Sequence, residues 1–424
     1  MTARIVVPRI ASRCCPRSGS VEATLPVSAF VLAGGVGSRL GPLTATRPKP
    51  LVPFGGHRRL IDFTLSNCAR AGVPDVTLLA QHLAAPLAAY VGDGAPWGFG
   101  GPQARMRVLR PPTGAHYEGT ADAVRYGLAL SDPAAEAVLI LAADHVYAMD
   151  YAAFAEAHLC SRADLTIAVT VVTPTEASRF GIAIVAEDGS VVNFEEKPEQ
   201  PRGNLASMAV YAFAPAALRR LLAIDAAEAS SHDLGRDIVP LALALGLDVR
   251  AYRFDGYWQD VGTPESYWRA HRDLLLGDAD QVLRAAVGDA CAGAPYGLAF
   301  GPHAGARESR MLGGCTVEGI VERSVVGTGV AIGPGAIVRD SILLAGAQIE
   351  AGATVDHAIL DERCVVGAGA SVGRVRRAGP RAAPRSRPIT VVASGARIAP
   401  GAVIPGGAVI EHATGIITPM RAVA

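Results

Sequence analysis

From Val27 to about Leu276 the apolar positions come in short runs closed by Gly, Asp or Pro, namely SAFVLAGG, DVTLLAQ, AVLILAAD and LTIAVTVV. Short β-rich runs without polar alternation predict strands buried on both faces of a parallel sheet. Between them, IDFTLSNCARAG and TADAVRYGLAL carry a helical pattern. Strands alternating with helices predict a doubly wound, mostly parallel α/β sheet of Rossmann-like type, whose ligands sit beyond the carboxyl ends of the strands. Further on, GIAIVAEDGSVVNFEEKP predicts a hairpin turning at Asp188 and Gly189.

After residue 308 the period changes. Val326, Leu343 and Leu360 stand 17 apart, as do Ile332, Ile349 and Val366, then Val338, Val355 and Val372, while Gly335, Gly352 and Gly369 keep the same step. Within a unit the apolar positions are spaced six, six and five. That spacing predicts a three-sided coil with one apolar residue inward per side, stacked into a parallel β-helix of hexapeptide-like coils. Ile398, Ile404 and Ile410, six apart, predict a last turn. The Arg- and Pro-rich stretch 373–388 predicts a poorly ordered, solvated loop. The expected organisation is a disordered extension over 1–25, an α/β domain over 26–275, a linker over 276–308 and a β-helix domain over 309–424.

A chain of 424 residues, half of them apolar, exceeds what one core supports. Basic and acidic residues balance at 39 each, so no global field favours nucleic acid or an anionic membrane, and any phosphate chemistry must be local. The seven cysteines are odd in number and form no C-x-x-C pair, which argues against a disulfide framework or structural zinc and for reduced thiols in a cytoplasm. No apolar run reaches the roughly 18 residues of a membrane helix, and Pro and Arg interrupt the apolar stretch within residues 1–25, which makes a secretory signal a poor reading. Only two of the 39 basic residues are lysines, Lys49 in RPKP and Lys197 in EEKP. A compact ammonium reaches a single phosphate oxygen where a planar guanidinium does not fit.

The first strand runs into LAGGVGSRLGPLT, where Gly34, Gly35 and Gly37 let backbone amides approach anionic oxygens. The stretch is neither G-x-x-x-x-G-K-[ST] nor G-x-G-x-x-G, so ATP-hydrolase and NAD readings lose support. Followed by RPKP it resembles the sugar-phosphate nucleotidyltransferases. GGHRRLIDFTLSNCARAG, YEGTADAV, ADHVY, FEEKP, LASMAVYAF, SSHDLGRDIVP and YWQDVGT then appear in order, and together they are similar to the glucose-1-phosphate adenylyltransferase (ADP-glucose pyrophosphorylase) family, bacterial type. The resemblance runs from about residue 27 to 372.

That resemblance implies that 26–275 is a nucleotidyltransferase catalytic domain converting ATP and glucose 1-phosphate to ADP-glucose and pyrophosphate, for glycogen or another α-glucan, in a cytoplasmic, allosteric homotetramer. It makes Asp144 and Asp260 ligands of Mg2+, with carboxylates expected within roughly 5 Å of each other because magnesium–oxygen distances are about 2.1 Å. It gives Arg39 and Lys49 the phosphates of ATP and the leaving pyrophosphate, and Lys197 the phosphate of glucose 1-phosphate. Glu196 would hold sugar hydroxyls, Ser207, Gly181 and Tyr117 the sugar side, and Gln81, Gly119, Thr120 and Asp122 the nucleotide with Gly34, Gly35 and Gly37. Arg47 is the candidate for an effector site. The chain departs from the family pattern at Val36, His116, Ala143, Ala209 and across 91–115. Three other readings stay open: GDP-mannose, dTDP-glucose or UDP-glucose synthesis; a catalytically weakened regulatory subunit; and a β-helix acyltransferase using His303, His357 or His412.

Overall fold

The computed structural model describes residues 25–101, 104–286, 297–374, 387–411 and 416–417. The expected extension over 1–25, save its last residue, and most of the 373–388 stretch lie outside these. The chain forms two compact units. One takes the residues up to Gly35, then Ile61–Trp258 and a short piece from Ala285; the other takes Val36–Leu60, Gln259–Arg284 and the residues that follow.

In the first unit Val27–Leu32 lies between Asp75–Leu79 and Ala137–Ala142, parallel to both, and Arg105–Leu109 extends the parallel side. Leu205–Phe213 then enters antiparallel to Ala137–Ala142 and carries Leu165–Val171 and Gly181–Val185. Val249–Arg253 pairs in parallel with Leu165–Val171. The predicted hairpin is Gly181–Val185 against Val191–Glu196, with Gly189 at φ 85° in the turn. The sheet is thus mixed: parallel around the first strand, antiparallel where Leu205–Phe213 and the hairpin pair, and parallel again between Leu165–Val171 and Val249–Arg253.

Alternate residues explain why the strands are apolar throughout. Phe30, Val138, Ile140, Ile167, Val169, Tyr211 and Phe213 share one core with Ala121, Val124, Leu218, Leu221, Ile238 and Val239 of the covering helices. Their neighbours Ala29, Val31, Leu139 and Leu141, which face the other way, are equally buried. Both faces are therefore covered, as a doubly wound sheet requires. The Cys160 sulfur is disulfide-bonded, which corrects the expectation that every thiol is reduced, whereas Cys68, Cys315 and Cys364 are buried free thiols.

In the second unit three parallel sheets of seven, six and six strands make the β-helix. Val326 pairs with Leu343 and Leu343 with Leu360; Ile332, Ile349, Val366 and Ile398 form a second stack, and Val338, Val355, Val372 and Ile404 a third. All are buried, so the 17-residue register marks the inward column. Gly335, Gly352 and Gly369 sit at φ 67°, 68° and 66°, the left-handed region each corner needs. Pairing begins at Ala299–Phe300, which steps 17 residues to Thr316–Val317, and one early coil advances by 15 instead, as in Gly305 with Ile320, Arg310 with Val325 and Thr316 with Ala331.

Candidate active site

Leu32, Leu79 and Ala142, the last residues of three parallel strands, open onto a cavity of about 630 Å³. It lies where the sheet rule places ligands. Of the residues singled out from the sequence, Gly34, Gly35, Gln81, Tyr117, Gly119, Thr120, Asp144, Glu196 and Lys197 line it together.

Each is placed by local structure. Asp144 stands two residues past the end of the Ala137–Ala142 strand, and its Oδ1 lies 3.6 Å from His145 Nε2. The Trp258 indole N–H donates to His145 Nδ1 at 3.3 Å, so the His145 proton belongs on Nε2, the nitrogen nearer Asp144. Glu196 ends the hairpin strand, and Lys197 Nζ lies 2.6 Å from its Oε1. The Glu196 carboxylate is seated between two glycines, because a Cβ on Gly181 or Gly235 would come within 2.8 or 2.7 Å of Oε2. A Cβ on Gly181 would also come within 2.4 Å of Phe194 Cζ, so Gly181 makes room for the Phe194 ring as well as for Glu196. Gln81 holds the Tyr117 backbone from both sides, its Oε1 accepting the Tyr117 N–H and its Nε2 donating to the Tyr117 carbonyl at 3.5 Å. Burial pushes the Tyr117 hydroxyl up to about 12. Gly119 runs so close to 231–232 that a Cβ would lie 2.1 Å from the His232 carbonyl oxygen. Thr120 Oγ1 donates to Asp233 Oδ2 at 3.1 Å and accepts the Leu234 N–H at 2.8 Å.

Of the expected nucleotide and sugar residues, Asp122, Ser207, Gly181 and Gly37 do not line the cavity. The Asp122 carboxylate accepts from the Glu118 N–H and from Arg125, so its oxygens are directed to its own loop and helix. Ser207 Oγ, 8% exposed, donates to the Tyr211 hydroxyl and accepts the Ala209 N–H. It is Ala209, held at φ 50° where the strand register shifts, that lines the cavity. Sequence reasoning missed Glu118, His145, Ser231, Asp233 and Arg236, which also line it. The signal was available in ADHVY and SSHDLGRDIVP, strings read for the resemblance they carry and not residue by residue.

Charge counts for the chemistry here. Glu118, Asp144, Glu196 and Asp233 face Lys197 and Arg236, four carboxylates against two cations. A phosphate ester entering such a lining meets net negative charge, so a cation must accompany it. Among the described residues no three His, Cys, Asp or Glu side chains group as a metal site. The lining thus suits an ion held by one or two carboxylates and completed by water and ligand phosphates, the usual habit of Mg2+.

The remaining candidates gather in the second unit. Lys49, with a side chain 9% exposed, places Nζ 3.1 Å from Asp260 Oδ1. Gly37, at φ 68°, packs on it so closely that a Cβ would sit 2.8 Å from Lys49 Cβ. The Cβ position of Gly262 lies 3.1 Å from Arg39 Nη2 and 3.2 Å from both Asp260 oxygens, so Arg39, Lys49 and Asp260 converge. The two lysines differ: Lys49 is enclosed, whereas the Lys197 side chain is 55% exposed and its backbone is held at φ 46°. Arg47, the effector candidate, already donates to Asp361 and Glu362. Of the imidazoles proposed for acyl transfer, His357 packs on Trp268 and bonds the Arg387 carbonyl, His303 is exposed, and His412 lies outside the described residues.

Residues 28–276 match the family model described as "Nucleotidyl transferase", and residues 300–392 match "GlmU-like, C-terminal hexapeptide". Curated relatives named "Glucose-1-phosphate adenylyltransferase" include that of Clostridium botulinum (strain Alaska E43 / Type E3), 43% identical over 73% of this chain and 83% of its own length. That of Bacillus cereus (strain Q1) is 41% identical over 80% of this chain and 91% of its own. That of Thermotoga sp. (strain RQ2) is 48% identical over 58% of this chain and 60% of its own.

Proposed function

The chain belongs to the nucleotidyl transferases, and within them to the glucose-1-phosphate adenylyltransferase family, and from that premise we propose that it joins ATP and glucose 1-phosphate into ADP-glucose with release of pyrophosphate. One observation carries the assignment to this cavity: Gly34 and Gly35, Asp144 and the Glu196–Lys197 pair line a single cleft at the carboxyl edge of the sheet.

The reaction asks for placement and charge control. The phosphate oxygen of the sugar phosphate is already anionic and attacks the α-phosphorus of ATP; the bond from that phosphorus to the β-phosphate bridging oxygen breaks, and the pair leaves with pyrophosphate. No general base is needed. Lys197 holds the sugar phosphate and Glu196 accepts from sugar hydroxyls. The amides after Gly34 and Gly35 meet ATP phosphates, and Arg39 and Lys49 neutralise the charge that builds on the departing pyrophosphate. Asp144 and Asp260 are the residues that would hold Mg2+, which when bound neutralises phosphate charge and polarises the α-phosphate. Lys49 Nζ lies 3.1 Å from Asp260 Oδ1.

We assign the product to glycogen or another α-glucan, the enzyme to the cytoplasm, and the assembly to a homotetramer under metabolite control. What supports this is family membership; separately, no helix among the described residues is long and apolar enough to cross a membrane. Pyrophosphate release measured on the purified protein with ATP, GTP, UTP and dTTP, each with glucose 1-phosphate and Mg2+, tests the reading. Turnover is expected with ATP. Preference for another nucleotide moves the chain to a sibling activity, and silence with all four assigns it to the regulatory class.

A further inference from the structure

Within the second unit a buried ladder of charges ties the Lys49 segment to one corner of the β-helix. Asp361, whose side chain is 1% exposed, accepts from Arg47 Nη1 at 2.8 Å. The other arm of that guanidinium, Nη2, lies 3.0 Å from Glu362 Oε2. The second Glu362 oxygen, Oε1, accepts from Arg59 Nη2 at 3.0 Å. Arg59 Nη1 then donates to the Leu51 carbonyl at 3.0 Å. Arg47 stands two residues before Lys49 and Leu51 two residues after it, so both flanks of the lysine are pinned to the same pair of neighbouring acids.

We propose that Asp361 and Glu362 are positioning residues for ATP, holding Lys49 and its neighbours in place through Arg47 and Arg59. The assignment rests on the proposed adenylyl transfer, in which Lys49 serves ATP phosphates and Lys197 the sugar phosphate. Two features make the ladder a constraint on geometry. The Asp361 carboxylate has one oxygen, Oδ2, buried without a hydrogen-bond partner, so its charge depends on Arg47 staying where it is. Each arginine also uses two arms in fixed directions, which fixes orientation as well as distance. The Lys49 carbonyl accepts from the Val52 N–H at 3.0 Å in a single 3-10 turn, Lys49–Leu51.

The test is Asp361→Asn and Glu362→Gln in the full-length protein, with KM for ATP and for glucose 1-phosphate, kcat, and the Kd of Mg–ATP by calorimetry. The expected result is a five- to tenfold rise in both KM and Kd for ATP together with a fall in kcat, because Lys49 also meets the departing pyrophosphate, with KM for glucose 1-phosphate within twofold of wild type. A role in stability alone lowers the melting temperature and the yield of active protein and leaves that ratio unmoved. If Asp361→Asn does not fold, Glu362→Gln decides, because its side chain is 17% exposed and its loss unties Arg59 and one arm of Arg47. Equal changes in both KM values, or an unchanged ATP affinity in folded variants, overturn the proposal. A wild-type protein that neither turns over nor binds Mg–ATP sinks the functional reading instead, so the two failures are told apart.

Discussion

Replacing Gly119 with alanine tests whether the cavity wall is held by backbone contact. Gly119 has φ −169° and ψ −176°, extended values that any residue adopts, so the substitution carries no conformational strain. Its cost is steric. The added Cβ would lie 2.1 Å from the His232 carbonyl oxygen, 2.4 Å from that of Ser231 and 2.5 Å from the His232 carbonyl carbon. All three are backbone, which cannot rotate away. To reach a tolerable contact, 231–232 must retreat by ~0.9 Å, lengthening the 2.7 Å bond from the Ala121 N–H to the His232 carbonyl. Ser231 and Asp233 line the cavity on that wall, and a misplacement of about 1 Å costs on the order of 100-fold in rate. We therefore expect kcat/KM for pyrophosphate release to fall about 100-fold, or roughly 2.7 kcal/mol, with about 1–3 kcal/mol of stability lost to overpacking. Gly246→Ala is the control, since Gly246 sits at φ 68° with nothing within 4 Å of its Cβ position. It should lose stability and keep activity. A Gly119→Ala enzyme within threefold of wild type would refute the reasoning.

Lys197→Arg should raise KM for glucose 1-phosphate about tenfold while sparing ATP, because a fork replaces a point charge; an unchanged KM in steady-state assays removes the case for lysine at that position. Ala209→Gly should stabilise the protein by about 0.5–1 kcal/mol, since Ala209 is held at φ 50° where glycine pays no Cβ penalty; a lower melting temperature contradicts this. A structure with Mg2+ and bound nucleotide sugar should place the Asp144 and Asp260 carboxylates within about 5 Å of each other, and a separation beyond about 9 Å ends their joint assignment. Burial pushes His158 and His271 down to about 4. Both are therefore neutral in the fold, and the unfolded chain binds protons first as pH drops. Stability should be full above pH 6.5 and fall as pH is lowered through 6.5 towards 4, by about 3 kcal/mol per group at most. Urea unfolding across that range checks the sign. In His271 the reason is visible, because Nε2 must accept the Gly55 N–H at 3.1 Å while Nδ1 donates to the Tyr267 carbonyl.

The parts of the fold that sequence exposed most clearly are those whose side chains repeat against a fixed backbone period. Val326, Leu343 and Leu360 are legible because each coil presents the same inward slot. The coil ahead of the regular repeat was hidden because its step is 15, so Val317 and Ile332 pair outside the 17-residue register. The antiparallel entry of Leu205–Phe213 was equally silent, since a strand buried on both faces is apolar in either direction. In the site, residue types with one chemical use stood out, such as Asp144 after its strand and Lys49 between prolines. Asp233 did not, because its carboxylate doubles as a helix cap, accepting the Gly235 and Arg236 N–H groups at 2.9 and 3.0 Å, and cap and ligand look alike in a string of letters.

The two lysines show where a compositional argument needs geometry to finish it. Their survival in an arginine-rich chain pointed to places a guanidinium does not fit, and for Lys49 the enclosure is real: Gly37 lies against its Cβ and Asp260 takes its ammonium. An arginine there would have to pass its wider head through the same contact, so size selects lysine. At Lys197 more than half of the side chain is exposed, and the backbone at φ 46° directs it towards Glu196 at 2.6 Å. Size cannot be the reason there. What distinguishes lysine at this position is that a single ammonium can be shared between one carboxylate oxygen and one phosphate oxygen, whereas an arginine fork would engage both Glu196 oxygens and leave fewer acceptor sites for sugar hydroxyls. Lys197→Arg should then weaken discrimination among sugar phosphates as well as affinity, because Glu196 is the group that reads the hydroxyls. Comparing kcat/KM for glucose 1-phosphate and galactose 1-phosphate in the two enzymes separates these effects: a parallel loss for both sugars means that only the phosphate grip has changed.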